Sequence, residues 1–184
     1  MSAKLVVLSG PSAVGKGTLA SFIIAKNEDF ELSVSATTRS ARSGEVEGES
    51  YYFVTEEEFS RLIESAELLE WATVHGRHRY GTPGLPVEKA LAKGRNVVLE
   101  IDVQGAFQVK KAFPAAVLVF VNPPSFQELE ARMNKRGTET PEDKRLRLET
   151  AKSELLQAKS FDFQVINDEV ARCAQEVVDL VKSN

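Results

Sequence analysis

Nine residues near the start constrain this chain more than any others. Gly10-Pro-Ser-Ala-Val-Gly-Lys-Gly-Thr18 follows the apolar run Leu5-Val6-Val7-Leu8 and precedes Leu19, Phe22, Ile23 and Lys26 at helical spacing. A buried strand, a loop of the form G-x-x-x-x-G-K and an amphipathic helix are together the parts of a phosphate-binding loop. Its backbone curls so that successive N–H groups point at phosphate oxygens, while the helix N-terminus and the Lys16 ammonium add positive potential. Gly10, Pro11, Ser12, Ala13, Val14, Gly15, Lys16, Gly17 and Thr18 therefore predict a nucleoside triphosphate site. Gly17 departs from the usual pattern, because the residue after the lysine ordinarily supplies a hydroxyl to Mg²⁺. Two arrangements stay open: Thr18 takes the metal or phosphate contact, or Mg²⁺ is held largely by nucleotide, water and a carboxylate elsewhere.

The rest of the chain alternates short apolar runs with helical periodicity. Val97-Val98-Leu99 with Ile101, Val117 to Val121 and Val165-Ile166 read as buried strands. Helical patterns cover Gln104 to Ala112, Ser125 to Arg136, Glu142 to Ala158 and Asp168 to Lys182. This alternation predicts an α/β fold of three layers, with a central parallel sheet covered on both faces. Residues 32 to 82 break the rhythm: "ELSVSATT", "SYYFVT" and "LLEWATV" read as short strands, "GEVEG" as a turn and Glu56 to Ser65 as a helix. They predict a β-rich subregion inserted into the parallel fold and facing the phosphate loop.

With 184 residues and a net charge of −4, the chain fits one domain without whole-surface attraction to nucleic acid or anionic membrane. Phosphate must be met locally, and "SVSATTRSARSGEVEGESYYF" offers the means. Arg39 and Arg42 present two planar forks, with Ser35 and Tyr51 as neutral hydroxyls, suited to a second phosphate group. The only cysteine, Cys173, sits in the helical stripe Val170, Cys173, Ala174, Val177, Val181 and is expected to be core. One cysteine makes no internal disulfide, the N-terminal apolar run is too short for a secretory signal, and no run is long enough to span a bilayer. The expectation is a cytoplasmic protein with small-molecule substrates, without nucleic-acid or membrane binding and without an evident obligate protein partner.

"GPSAVGKGT", "SATTRSARSGEVEGESYYF", "LLEWATVHG", "RYGTP", "LEIDVQGA", "NKRGTET", "RLRLETAKSEL" and "FDFQVIND" together resemble, in order, the motifs of the guanylate kinase family, and span nearly the whole chain. The resemblance implies transfer of the γ-phosphoryl group of ATP, with Mg²⁺, to GMP, with dGMP as a second acceptor. It implies Lys16 as the phosphate-loop lysine and Ser35, Arg39, Arg42, Tyr51 and Tyr80 as acceptor-phosphate contacts. Glu70, Thr82 and Asp102 fall on guanine contacts, Arg136 and Arg147 on arginines of a helical lid, and Asn167 near adenine. The implied division is a core of residues 1–34, 85–125 and 159–184, a GMP-binding region of about 35–84 and a lid of about 126–158.

Base chemistry agrees with the guanine assignment. Guanine presents donors at N1 and N2 and an acceptor at O6, so Glu70 and Asp102 can accept while Thr82 donates. Glu100 and Asp102, two apart where the strand leaves the sheet, either cap the helix beginning at "DVQG" or, one or both, orient guanine or a metal-bound water. The acceptor is itself an ionised phosphate, so no general base is needed; the site must align two polyanions and exclude water. Non-catalytic scaffold domains of similar type lack the phosphate-loop lysine that this chain retains. Ala13 replaces a common glycine, which confines that position to negative φ unless the backbone is strained. His75 and His78 are expected to be solvated loop residues beside Arg77 and Arg79, and Trp71 is expected to pack in the core.

Overall fold

The structure, a computed structural model, describes residues 3–74, 76–135 and 141–183. β1 (Leu5–Ser9) is buried at every position, as befits a strand with helices on both faces. Its neighbours in a wholly parallel sheet are β7 (Asn96–Glu100), pairing Leu5 with Val97, and β8 (Val117–Asn122), pairing Val6 with Val117. β2 (Phe30–Leu32) and β9 (Phe163–Ile166) complete the order β2-β7-β1-β8-β9. Val6 and Leu8 join Leu19, Ile23, Val119, Cys173 and Val177 on one face. Leu5 and Val7 join Val87, Ala106, Val109, Phe120 and Phe161 on the other, so the alternation of a strand divides the core in two. The helices α1 (Lys16–Lys26) and α7 (Val170–Ser183) cover the first face, and α3 (Gly84–Ala92) and α4 (Val103–Ala112) the second. Cys173 is buried as expected, and burial pushes its thiol up to about 11.

A second sheet lies in the segment that broke the rhythm. Its order is β4 (Tyr52–Phe53), β3 (Ala36–Thr37), β6 (His78–Pro83), β5 (Leu68–Val74). α2 (Glu56–Glu64) opens with a capping box in which the Thr55 hydroxyl accepts from the Glu58 N–H and the Glu58 carboxylate accepts from the Thr55 N–H. The side-chain amide of Gln108, on α4, accepts from the Trp71 N–H at 3.2 Å and donates to the Trp71 carbonyl at 2.8 Å, tying the outer strand of this sheet to the core. α5 (Phe126–Lys135) buries Leu129 and Met133, as their spacing predicts; α6 (Pro141–Leu156) leads into a 3₁₀ turn, Ala158–Ser160.

Four readings change. "ELSVSATT" is not one strand: Glu31 and Leu32 belong to the parallel sheet, whereas Ala36 and Thr37 start the second, so the chain crosses between sheets at residues 33–35. α3 is absent from the sequence reading because it has no side-chain cap and presents only Val87 and Ala90 as buried apolar residues after Gly84. His78 and Arg79 lie in β6 rather than a loop; Arg79 sits over the Phe59 ring at 4.8 Å and bonds to Ser60 of α2. His75 lies outside the described residues. Trp71 points outward and is 40% exposed, because in β5 the inward positions go to its neighbours Glu70 and Ala72.

Candidate active site

The phosphate loop is held from behind by side chains of other elements. Asn167, buried at the end of β9, donates from Nδ2 to the Val14 carbonyl at 2.9 Å; its Oδ1 meets no donor among the described residues. Arg132 of α5 donates to the Val14 carbonyl at 3.1 Å and to the Asn167 carbonyl at 3.2 Å. Lys16 begins α1 and its Nζ donates to the carbonyls of Gly10 at 2.6 Å and Pro11 at 3.2 Å, so the ammonium rests at the loop mouth. Ala13 adopts φ 66°, the strained alternative to a negative angle. The turn geometry of the loop imposes the left-handed region there, at a steric cost that glycine would avoid. Thr18 is exposed on the first turn of α1 and lies outside the cleft lining. Glu100, at the end of β7, brings its Oε2 to 3.2 Å from where a Cβ on Gly17 would be. The missing side chain at Gly17 thus gives room to a carboxylate from the neighbouring strand.

Opposite the loop, Arg39 is buried and organised by protein groups. Its guanidinium donates to both Glu45 oxygens at 2.9 Å, to the Ser40 carbonyl at 2.7 Å and to the Tyr80 hydroxyl at 3.2 Å, leaving one Nη2 N–H for a ligand. It also lies 5.3 Å from the centroid of the Tyr51 ring. The Arg39 guanidinium holds the Glu45 carboxyl below its usual range. The same carboxylate accepts from the Arg42 backbone N–H at 2.8 Å, which fixes the turn carrying Arg42. Arg42, Ser35, Tyr51 and Tyr80 line the cleft, so the structure brings together the hydroxyls and the exposed fork that the sequence singled out. Glu45, the residue organising them, was not among the candidates; its signal was the arginine-rich motif in which it sits.

Glu70, Thr82 and Asp102 come from β5, β6 and the N-cap of α4. Glu70 is buried, and its Oε1 accepts from the Thr82 hydroxyl at 2.7 Å. Thr82 was expected to donate to the base; its proton is instead committed to Glu70, which leaves its oxygen as an acceptor. Asp102 does both things that its position allowed: Oδ1 accepts from the Gly105 N–H at 2.7 Å, capping α4, while the residue lines the cleft. Burial pushes the Glu70 carboxyl up to about 7, and Asp102 adds to the shift, against the opposing Thr82 hydrogen bond. A Cβ on Gly105 would stand 2.4 Å from Glu70 Oε2 and 3.1 Å from its Cδ, so glycine is what admits the carboxylate here. Gly105→Ala is expected to lower kcat/KM for a guanine substrate by on the order of 10²-fold through misplacement of Glu70. The KM for the triphosphate should stay unchanged in the same steady-state measurement.

The cleft between these groups has a volume of about 860 Å³, the size of a small-molecule site. α6 closes one side: Arg147 donates from Nη2 to the Ser12 hydroxyl, and Glu154 lines the cleft from the same helix. Arg136 lies outside the described residues. The phosphate loop, Arg42 with the tyrosines, and the Glu70 and Asp102 carboxylates thus line a single cleft. That arrangement can hold two phosphate-bearing ligands and read one base.

Comparison with known proteins gives a consistent picture. The family model described as guanylate kinase matches residues 2–184. A guanylate kinase of Leifsonia xyli subsp. xyli is 54% identical over 177 residues, covering 96% of this chain and 70% of that protein. One of Nocardia farcinica is 52% identical over 181 residues, covering 98% and 94%. Among solved structures, a guanylate kinase from Anaplasma phagocytophilum superimposes with a TM-score of 0.82 at 34% identity, covering 99% of this chain and 86% of that one.

Proposed function

The chain belongs to the guanylate kinase family, and from that membership we propose how its residues divide the work of moving the γ-phosphoryl group of ATP to GMP. The enzyme is an ATP:GMP phosphotransferase, giving ADP and GDP. The observation that carries the assignment of parts is Glu70, held by the buried Thr82, lining with Asp102 the same cleft as Lys16. In our reading the backbone of residues 10–18 and Lys16 hold the ATP phosphates, with Asn167 behind the loop toward adenine. Ser35, Arg42, Tyr51 and Tyr80 receive the GMP phosphate, and Arg39 contributes its remaining N–H while Glu45 holds it in place.

Glu70 and Asp102 accept from guanine N1 and N2, supported by the two carboxylates that line the cleft. Adenine offers an acceptor at N1 where guanine offers a donor, so AMP would leave a buried carboxylate unpaired. The deoxyribose nucleotide dGMP presents the same base and phosphate and is read as a second acceptor. Residues 1–34, 85–125 and 159–184 form the core in this reading, about 35–84 the acceptor region, and about 126–158 the lid with Arg136 and Arg147. The Arg147 contact to Ser12 supports that role, since it carries α6 over the loop.

The family implies Mg²⁺, and the residues present fit a metal held mainly by nucleotide and water. Among the described residues no group of three or more His, Cys, Asp or Glu is placed to hold a metal, whereas Glu100 sets one hard oxygen donor beside Gly17. Glu100, through water, would hold it; when bound it neutralises charge on the donor phosphates. The residues themselves align the acceptor oxygen with the γ-phosphorus and exclude water, and the acceptor, with a second pKa of about 6, needs no base. The same reading puts the enzyme in the cytoplasm, supported by its one, buried cysteine. It has small-molecule substrates and needs no nucleic acid, membrane or obligate protein partner.

Following ADP formation with Mg-ATP and GMP, AMP, CMP or UMP in turn tests the base assignment. GMP is expected to exceed AMP in kcat/KM by on the order of 10⁴-fold. Turnover with AMP but not GMP would overturn it, and tight peptide binding without turnover would favour a scaffold.

A further inference from the structure

One helix brings both a cation and a carboxylate to the phosphate loop. Arg147 and Glu154 are seven apart on α6, hence on one face of it. Arg147 donates to the Ser12 hydroxyl, and Glu154 lines the cleft together with Ser12 and Lys16. Ser12 belongs to the loop whose N–H groups serve the donor phosphates in the reading given above, on which this inference rests. Glu154 therefore places an anion of the protein's own in the cleft that the loop lines. Its Oε2 is buried and has no hydrogen-bond partner among the described residues. A carboxylate left in this way is costly, and a second anion beside it raises the cost further.

We propose that Glu154 is the resident anion of the phosphate loop: in the nucleotide-free enzyme it occupies the cleft beside Ser12 and Lys16, and ATP binds only as this carboxylate is neutralised or displaced. The charged groups facing it are Lys16 at the start of α1, Asp102 at the start of α4 and Arg147 on its own helix, with Glu100, Glu70 and Arg42 across the same cleft. Lys16 and the Ser12 N–H favour the charged form. Burial and Asp102 oppose it, and burial prevails, pushing the carboxyl up to about 7. Below that value the carboxyl is neutral and can share the loop with phosphate; above it, carboxylate and ATP compete.

The test is calorimetric binding of Mg-ATP, without GMP, to the wild-type enzyme and to Glu154→Gln at pH 6, 7 and 8. Comparing the two proteins at each pH cancels the titration of ATP itself. The variant should bind ATP about tenfold more tightly than wild type at pH 8, with the two converging at pH 6, as expected for a competing group that titrates near 7. Glu154→Ala should move in the same direction, and unchanged GMP binding reports a folded protein in each case. Equal affinities at every pH, or weaker ATP binding by both variants, would overturn the proposal. Failure of the wild type to bind ATP at all, with GMP binding intact, would instead overturn the donor-site reading beneath it.

Discussion

Replacing Lys16 with alanine is expected to lower kcat by at least 10²- to 10³-fold, roughly what removal of one preorganised transition-state donor costs, while GMP binds as before. The asymmetry follows from where Lys16 sits. Its Nζ rests on the neutral carbonyls of Gly10 and Pro11, at the mouth of the loop. A transferring phosphoryl group offers that ammonium far stronger partners, and the interaction grows as charge shifts during transfer. The groups assigned to GMP, by contrast, are organised without Lys16: Arg39 by Glu45 and Tyr80, and Glu70 by Thr82 and Gly105. Steady-state ADP formation, paired with calorimetric GMP binding, separates the two effects. Simultaneous loss of turnover and GMP binding would show that Lys16 supports the acceptor site as well.

Glu70→Gln should exchange function for stability. The amide keeps the shape but replaces one acceptor oxygen by a donor, setting N–H against N–H at guanine. A fall in kcat/KM for GMP of on the order of 10²- to 10⁴-fold is expected. The ligand-free protein should become more stable at pH 8. The Glu70 carboxyl is raised from 4.5 to about 7 in the fold, so the folded chain holds a proton through a window in which the unfolded chain releases it. Raising the pH through that window therefore weakens the wild-type fold, and glutamine, which has no charge to bury, escapes the penalty. The gain is on the order of 2 kcal/mol, or about 4–8 °C in Tm, and fades as the pH falls toward 4.5. The same ionisation should make base binding by the wild type strengthen as the pH rises through about 7. Guanosine, which lacks the phosphate titrating near pH 6, isolates that effect.

What could be read in advance was what is local in the chain. The phosphate loop is contiguous, and β1 is apolar at four successive positions, so both the loop and its place in a parallel sheet follow from a dozen residues. The base-reading group is different in kind. Glu70, Thr82 and Asp102 are brought together by two strands of one sheet and the helix start of another layer, and only family resemblance joined them in the sequence. Gly105 had no legible role, because its meaning is the space that it leaves for a carboxylate from β5. Glu45 and Glu154 look like solvated acidic residues until their neighbours, Arg39 and Ser12, are known. Trp71 looks like core for a related reason: it is a large apolar residue in an apolar run, yet in a strand it must face away from the buried Glu70.

The Gln108 amide bonded to Trp71 has a consequence for association between molecules. β5 ends its sheet, and an unpaired strand edge invites a foreign strand to extend it. At Trp71 both backbone groups are already taken by a side chain that imitates one residue of a neighbouring strand. An incoming chain would have to displace the amide and then pass α4, which stands behind it. The exposed indole is thus presented on a margin that cannot readily be lengthened, and a bulky apolar ring can sit in water there without seeding aggregation.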